Sequence, residues 1–290
     1  MTLRSRPLFD RETIWRMGLV GDPIAHSLSP ALHEAAFRSH GLCASYELWP
    51  TAEADLPARL AALRGADVLG ANVTIPHKVA VMSLLDEVTP LAARAGAVNT
   101  IIHRDGRLIG DNTDVEGFTT ALTSAISSFS ERHIMVLGAG GAARAVVLGL
   151  QALGTGEISI ANRGQERAKT LAANFSSPHH EIRAIALQRV VENLESVSVL
   201  VNATAAGWRP GETPIPVDLL DNLPPSALVV DLTYRETDLL RAARQRGLNT
   251  LDGLPMLVHQ AAGAFTRWTG LGAPVAKMLE AGENARVARR

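Results

Sequence analysis

Along most of the chain, short runs of β-branched and aliphatic residues alternate with longer Ala- and Leu-rich stretches, punctuated by Gly, Pro, Asn and Asp. Short apolar runs bounded by turn formers predict buried strands, and apolar positions recurring every three or four residues predict helices. On this reading residues 17–20, 44–49 and 68–73 are strands, and residues 98–103 and 107–110 form a hairpin about Asp105-Gly106, a pair suited to a tight two-residue turn. Helices are predicted from Pro30, near Ala54 and near Lys78. Residues 115–130 read as a helix running into a Ser-rich connection, the best linker candidate.

Beyond that connection the β-α alternation is regular. Strands are predicted at residues 133–137, 157–161, 197–202, 228–232 and 248–251, with helices after 143, over 165–174 and over 237–245. This pattern implies a doubly wound parallel sheet. Residues 256–268 and 274–285 are helical with no strand left to pair with, so the available surface is the first domain. The expected fold class is therefore α/β with two domains, an N-terminal α/β domain and a Rossmann-type doubly wound domain. The expected limits are 1–116 with 254–290 for the former and 117–253 for the latter.

Composition narrows the partners. A length of 290 residues fits two domains of roughly 100 to 200 residues each. With 28 basic against 29 acidic side chains and 4% aromatic residues, the chain has neither the field nor the rings for a nucleic-acid partner. The single cysteine, Cys43, excludes an internal disulfide and a Cys-type zinc site, and no metal is expected. Residues 1–15 place Arg4, Arg6, Asp10, Arg11 and Glu12 where a signal peptide needs apolar residues, and no uncharged run approaches the roughly 18 residues of a membrane span. A soluble cytoplasmic protein is expected.

The Gly-rich turn after residue 137 has the form G-x-G-x-x-A: Gly138, Ala139, Gly140, Gly141, Ala142 and Ala143. Gly138 supplies the tight turn, Gly140 lets the backbone approach a pyrophosphate, and Ala143 allows close helix-strand contact while the helix N-terminus faces the anion. The next strand ends at Asn162-Arg163, followed by Arg167 and Lys169, with no acid where ribose hydroxyls are normally read. Cations there favour a 2′-phosphate, hence NADP over NAD.

Four polar clusters in the first half are hard to explain as folding devices. In residues 21–33, Ser29 and Pro30 suit the N-cap and first position of a helix. Ser27 lies two residues earlier on the same side, and two hydroxyls beside a helix N-terminus can hold a carboxylate. His26 reads as a loop hydrogen-bonder. In residues 72–78, Pro76 stops a strand and the turn aims Thr74 and Lys78 toward a cleft. Residues 96–100 and 110–114 each place Asn-Thr at a hairpin strand or its exit, and the second adds Asp114.

In this order the motifs HSLSP, NVTIPHK, GAVNT, GDNTD, GAGGAA, NR, NATAAG at 202–207 and DGLPMLVHQAA at 252–262 resemble the shikimate dehydrogenases. These are NADP-linked oxidoreductases that reduce 3-dehydroshikimate to shikimate on the route to chorismate and the aromatic amino acids. The resemblance spans essentially the whole chain. It implies that Ser27, Ser29 and Thr74 bind the substrate carboxylate side, that Asn99, Asp114, Tyr234 and Gln260 contact ring hydroxyls, and that Lys78 and Asp114 form the catalytic pair. It further implies cofactor contacts from the residues of 138–142 named above, from Asn162, Arg163 and Arg167, and from Thr204, Trp208 and Gly253. Ketone reduction then needs hydride from NADPH and a proton from Lys78, with Asp114 orienting the lysine.

Five positions depart from the family pattern: Glu34 stands for Asn, Gly164 for Thr, Trp208 for Met, Glu236 for Pro and Pro255 for Gly. Two alternatives stand beside the main reading. One is an NAD-using quinate/shikimate dehydrogenase, against which Asn162-Arg163 argues. The other is a catalytically silent, ligand-responsive regulator, which needs a partner module for which the chain has no spare segment. The basic tail of Arg286, Arg289 and Arg290 reads instead as a helix C-terminus complementing its dipole. The expected partner is a small molecule, and the expected state a monomer or homodimer.

Overall fold

A computed structural model of the chain describes residues 13–177 and 181–289. Of the charged N-terminal stretch weighed above, residues 1–12 lie outside the described residues, as does Arg290 of the basic tail. The chain divides into two compact units, Met1–Thr113 with Val258–Arg290, and Asp114–Leu257.

The first unit opens with β1 (Trp15–Gly21), α1 (Ser29–His40), β2 (Ala44–Pro50), α2 (Leu56–Ala62) and β3 (Val68–Val73). It continues with β4 (Glu87–Val88), α3 (Pro90–Ala95), β5 (Thr100–Arg104) and β6 (Arg107–Asp111). Its sheet has the order β2-β1-β3-β5-β6-β4. Strands β1, β2 and β3 run parallel, while β5 is antiparallel to both β3 and β6. The hairpin turns where expected, with Asp105 and Gly106 at φ 51° and 76°, the two positive angles that a type I′ turn needs. Val20, Ala71, Val73, Val98, Ile101 and Leu108 fill the core on one face. No α-helix begins near Lys78. Pro76 lacks a backbone donor and restricts the residue before it, and the chain makes turns through Val79 before a 3-10 segment at Ala80–Leu84.

The second unit contains α4 (Asp114–Ala125), β7 (His133–Leu137), α5 (Gly141–Ala152), β8 (Glu157–Asn162), α6 (Gln165–Phe175) and β9 (Ile182–Ala186). Then come β10 (Val197–Asn202), β11 (Leu228–Asp231), α7 (Asp238–Gln245) and β12 (Asn249–Leu251). The sheet order is β12-β11-β10-β7-β8-β9, with every pairing parallel. All five residues of β7 are buried, the mark of a parallel strand covered on both faces. Strand order reverses between β7 and β10, and in such sheets ligands gather at the carboxyl ends beside that reversal. As expected, residues 115–130 are a helix, α4, followed by a non-helical Ser-rich stretch, but α4 packs on α5 as part of the second unit.

The remaining helices are α8 (Leu254–Thr269) and α9 (Val275–Val287). Pro255 falls in the first turn of α8, where its missing N–H removes no helix bond. Farther along, the Trp268 indole donates to the Ile101 carbonyl at 2.9 Å, and the Arg267 guanidinium pairs with Asp111. Helix α9 packs along α1. His40 Nε2 lies 2.9 Å from the Gly272 carbonyl and the Arg289 guanidinium 3.1 Å from the Ser27 carbonyl. Each end of α1 is thus tied to the opposite end of α9, so the two helices run antiparallel. Among the described residues no helix is long and apolar enough to cross a membrane.

Candidate functional site

In the first unit α1 starts at Ser29, and Leu28, with helical dihedrals, precedes it without a side-chain cap. Ser29 is therefore not the N-cap that its sequence position predicts. Ser27 serves that end instead, its Oγ accepting the Ser29 N–H at 3.2 Å. Both hydroxyl residues are buried. The first turn of α1 holds no acidic residue, so the positive end of the helix has no anion of its own there. Thr74 follows β3 directly, donates its N–H to the Val20 carbonyl at 2.9 Å, and lies so close to Gly21 that a Cβ there would stand 2.4 Å from its methyl. The exits of β1 and β3 are thereby side by side. Lys78 is half-buried, and its carbonyl accepts the Val98 N–H at 2.7 Å.

Asn99 sits at the centre of a buried amide-hydroxyl network. Its Oδ1 accepts from the Thr113 N–H at 2.7 Å and the Thr100 hydroxyl at 3.0 Å. Its Nδ2 donates to Thr113 Oγ1 at 3.0 Å and to Gln260 Oε1 at 3.3 Å. Asn72 extends the network, donating to Thr100 Oγ1 at 3.2 Å and accepting from the Tyr46 hydroxyl at 2.8 Å. Interlocked groups of this kind fix one another's orientation. Asn72, Thr100, Thr113 and Tyr46 were not singled out from sequence, although the paired Asn-Thr motifs held the signal. Behind Tyr46 the wholly buried His33 ring stacks at 4.2 Å and 8°, and burial pushes its pKa down to about 3. Glu34, the departure next to it, accepts the Tyr46 N–H at 3.0 Å and so holds α1 to β2.

The second unit begins with Asp114, buried at the first position of α4, where a helix dipole favours a carboxylate. In the Gly-rich turn Gly138 has φ 113°, and a Cβ there would lie 3.0 Å from the Ala203 carbonyl oxygen. A side chain at this position would both strain the backbone and push β7 from the β10 exit. Gly140 caps α5, is exposed, and would place a Cβ in open space. Ala139, Gly141 and Ala142 are half-buried, Ala143 is buried, and the first turn of α5 carries no acid. Backbone donors and open space at a helix N-terminus form a cradle that fits a pyrophosphate.

At the next strand, Asn162 Nδ2 donates to the Gly164 carbonyl at 3.0 Å. Arg163 and Arg167 are exposed. Lys169, counted with them as a cation for a 2′-phosphate, instead pairs with Glu166 at 2.8 Å because the two lie one helical turn apart.

The exits of β10 and β11 are joined by a second buried network. The Thr204 hydroxyl donates to Asn202 Oδ1 at 2.6 Å, and Asn202 Nδ2 donates to Asp231 Oδ1 at 3.0 Å. The Thr237 hydroxyl donates to Asp231 Oδ2 at 2.9 Å. Burial raises the Asp231 pKa. Asn202, Asp231 and Thr237 were also missed, although each polar residue closes or follows an apolar run. Trp208 and Tyr234 meet edge-on at 5.0 Å, and Arg235 donates to the Trp208 carbonyl at 2.5 Å. Glu236 pairs with Arg244 at 2.5 Å. A Cβ on Gly253 would lie 2.0 Å from the Leu232 carbonyl oxygen, so that glycine permits a backbone contact.

Of the predicted residues, the first unit brings together Ser27 with Ser29 and Asn99 with Gln260. The second brings Gly138 beside Thr204 and Trp208 against Tyr234. Lys78 belongs to the first unit, and Asp114 opens the second. Chemically, one unit offers buried amides and hydroxyls suited to a polyhydroxylated acid, and the other a dinucleotide cradle.

Three family models match the chain: the shikimate dehydrogenase substrate binding domain at residues 19–101, shikimate / quinate 5-dehydrogenase at 121–212, and the shikimate 5′-dehydrogenase C-terminal domain at 253–281. The NADP(+) shikimate dehydrogenase of Symbiobacterium thermophilum is 44% identical over 271 residues, 91% of this chain and 92% of that protein. The shikimate 5-dehydrogenase of Thermus thermophilus, solved with NADP(H) and shikimate, is 42% identical at a TM-score of 0.84, covering 94% of this chain and 100% of that one. The quinate dehydrogenase of Corynebacterium glutamicum, solved with NAD, is 32% identical at a TM-score of 0.84, with 94% and 99% covered.

Proposed function

This chain belongs to the shikimate dehydrogenase family, and we propose that it is an NADP-dependent oxidoreductase that reversibly reduces 3-dehydroshikimate to shikimate in aromatic amino-acid biosynthesis. The observation that carries this reading is its likeness over nine-tenths of its length to enzymes named for that activity and cofactor. Asn162-Arg163 at the end of β8, with no acid in the position of a ribose reader, supports NADP over NAD and sets the chain apart from an NAD-linked quinate enzyme.

The cofactor fits the residues present. Gly138, Ala139, Gly140, Gly141 and Ala142 would hold the pyrophosphate, Asn162, Arg163 and Arg167 the 2′-phosphate end, and Thr204, Trp208 and Gly253 the nicotinamide end. When bound, NADPH supplies the hydride. On the substrate side Ser27, Ser29 and Thr74 receive the carboxylate, and Asn99, Tyr234 and Gln260 the ring hydroxyls. The Asn99-centred network supports that role, because groups already locked by their neighbours lose little entropy on binding. Lys78 donates a hydrogen bond from Nζ to the ketone oxygen and passes it a proton as negative charge develops there. Asp114 accepts from the lysine and from a neighbouring substrate hydroxyl and so fixes both. The lone cysteine fits a reducing cytoplasm, and the working form is a monomer or homodimer.

One assay tests the reading. Following absorbance at the nicotinamide band, NADP with shikimate should give the highest kcat/KM among the four pairings of NADP or NAD with shikimate or quinate. A higher value for NAD with quinate overturns it.

A further inference from the structure

The C-terminal arginine that sequence alone assigned to a helix dipole has another place in the fold. Helix α9 runs antiparallel to α1, so its end arrives at the start of α1, and Arg289 donates from Nη1 to the Ser27 carbonyl at 3.1 Å. That carbonyl stands outside the helix ladder, whose first bond runs from the Leu32 N–H to the Leu28 carbonyl. The same residue, Ser27, turns its Oγ to the Ser29 N–H and its own N–H to the Ile24 carbonyl at 2.9 Å. Its three polar groups are thus each fixed, and Arg289 is the partner that comes from the far end of the chain.

Charge adds to this. A guanidinium beside the N-terminus of α1 meets the positive end of that helix. Among the described residues Arg289 makes no ion pair, and α1 has no acid in its first turn. Two positive features and two buried hydroxyls converge at this end of α1, whose first turn holds no acid. A bound carboxylate would supply the missing charge.

We propose that Arg289 is a positioning residue for substrate: it holds the Ser27 loop in the geometry that receives the carboxylate and adds positive potential to that spot. The inference rests on the assignment of Ser27 and Ser29 to the carboxylate. It predicts a defect in substrate binding alone, since Arg289 lies in the first unit and the cofactor cradle in the second.

The test compares Arg289→Ala and Arg289→Lys with the wild-type chain. In Arg289→Ala, KM for shikimate should rise about tenfold, which is about 1.4 kcal/mol, while kcat and KM for NADP stay within about twofold. Arg289→Lys, which keeps the charge and a donor, should recover part of that loss. The stabilisation of thermal unfolding by shikimate alone should shrink in the same order. An unmoved shikimate KM in Arg289→Ala, or a lysine variant no better than the alanine one, overturns the inference, as does an equal rise in both KM values. A wild-type chain inert toward shikimate overturns the functional reading and this inference with it, so the two failures are distinguishable.

Discussion

The indole of Trp208 meets the ring of Tyr234 edge-on, with centroids 5.0 Å apart and planes at 78°. The two residues come from different strand exits, one after β10 and one after β11. A T-shaped pair of this kind adds about 0.5–1.5 kcal/mol beyond its buried area. Trp208→Ala and Tyr234→Ala should therefore show a coupling of about 1 kcal/mol in a double-mutant cycle read by urea unfolding, and Tyr234→Phe should keep it. Additive single effects would show that the rings merely adjoin.

Lys78→Ala tests the proton donor. Loss of a positioned acid costs about 10²- to 10⁴-fold in rate, so kcat should fall in that range while NADPH affinity, read by nucleotide fluorescence, stays within about twofold. A variant with wild-type kcat removes Lys78 from the reaction.

Acid stability should depend on two buried imidazoles. Burial lowers the pKa of His33 to about 3 and that of His133 to about 4, with Arg183 adding to the effect at His133. Unfolded imidazoles titrate near about 6.5. Below that value the unfolded chain binds protons that the folded chain refuses, so stability is full above it and falls as pH drops toward the folded values. Each group approaches a slope of about 1.4 kcal/mol per pH unit in that window. Melting temperature should fall between pH 7 and pH 5, and His33→Phe, which keeps a flat ring against Tyr46, should flatten the fall. Parallel pH curves for the two proteins would count against His33.

Gly164 is where cofactor preference should be adjustable. It precedes α6 with φ −87° and ψ 96°, an extended conformation that Thr accepts, and no side chain caps the helix there. A Cβ would stand 3.6 Å from Asn162 Nδ2 and 4.0 Å from Arg167 Cδ, so there is room. Gly164→Thr should raise the NADP-to-NAD ratio of kcat/KM several-fold and stabilise the helix start by a few tenths of a kcal/mol. A falling ratio would mean that the loop, not the hydroxyl, sets the preference.

The sequence carried the second unit almost completely. Residues 133–137 and 197–202 are strands at the expected limits, because fully buried parallel strands are continuous apolar runs with sharp polar ends. Strands β4 and β9 were not foreseen. One is only Glu87–Val88, and the other, Ile182–Ala186, has one buried residue, so neither shows a period. At the candidate site, the motifs pointed to the residues proposed to face ligands but not to the residues hydrogen-bonded behind them. Asn72, Asp231 and Tyr46 act through partners 26 to 29 positions away, and no local pattern records such a pairing. Ser29 shows the same limit at short range, since its place before Pro30 suits a cap equally well whether or not Ser27 takes the role.

The bond from Trp268 to Ile101 spans 167 positions, which sets an order of events during synthesis. The strands of the first unit leave the ribosome well before α8 and α9, and at about 5–20 residues per second the intervening unit occupies the ribosome for roughly 7 to 30 s. Throughout that interval the Ile101 carbonyl lacks its partner from α8, whereas the second unit has its whole sequence available as soon as the interval ends. The nascent chain is thus most open to chaperone capture on the part of the molecule that was made first.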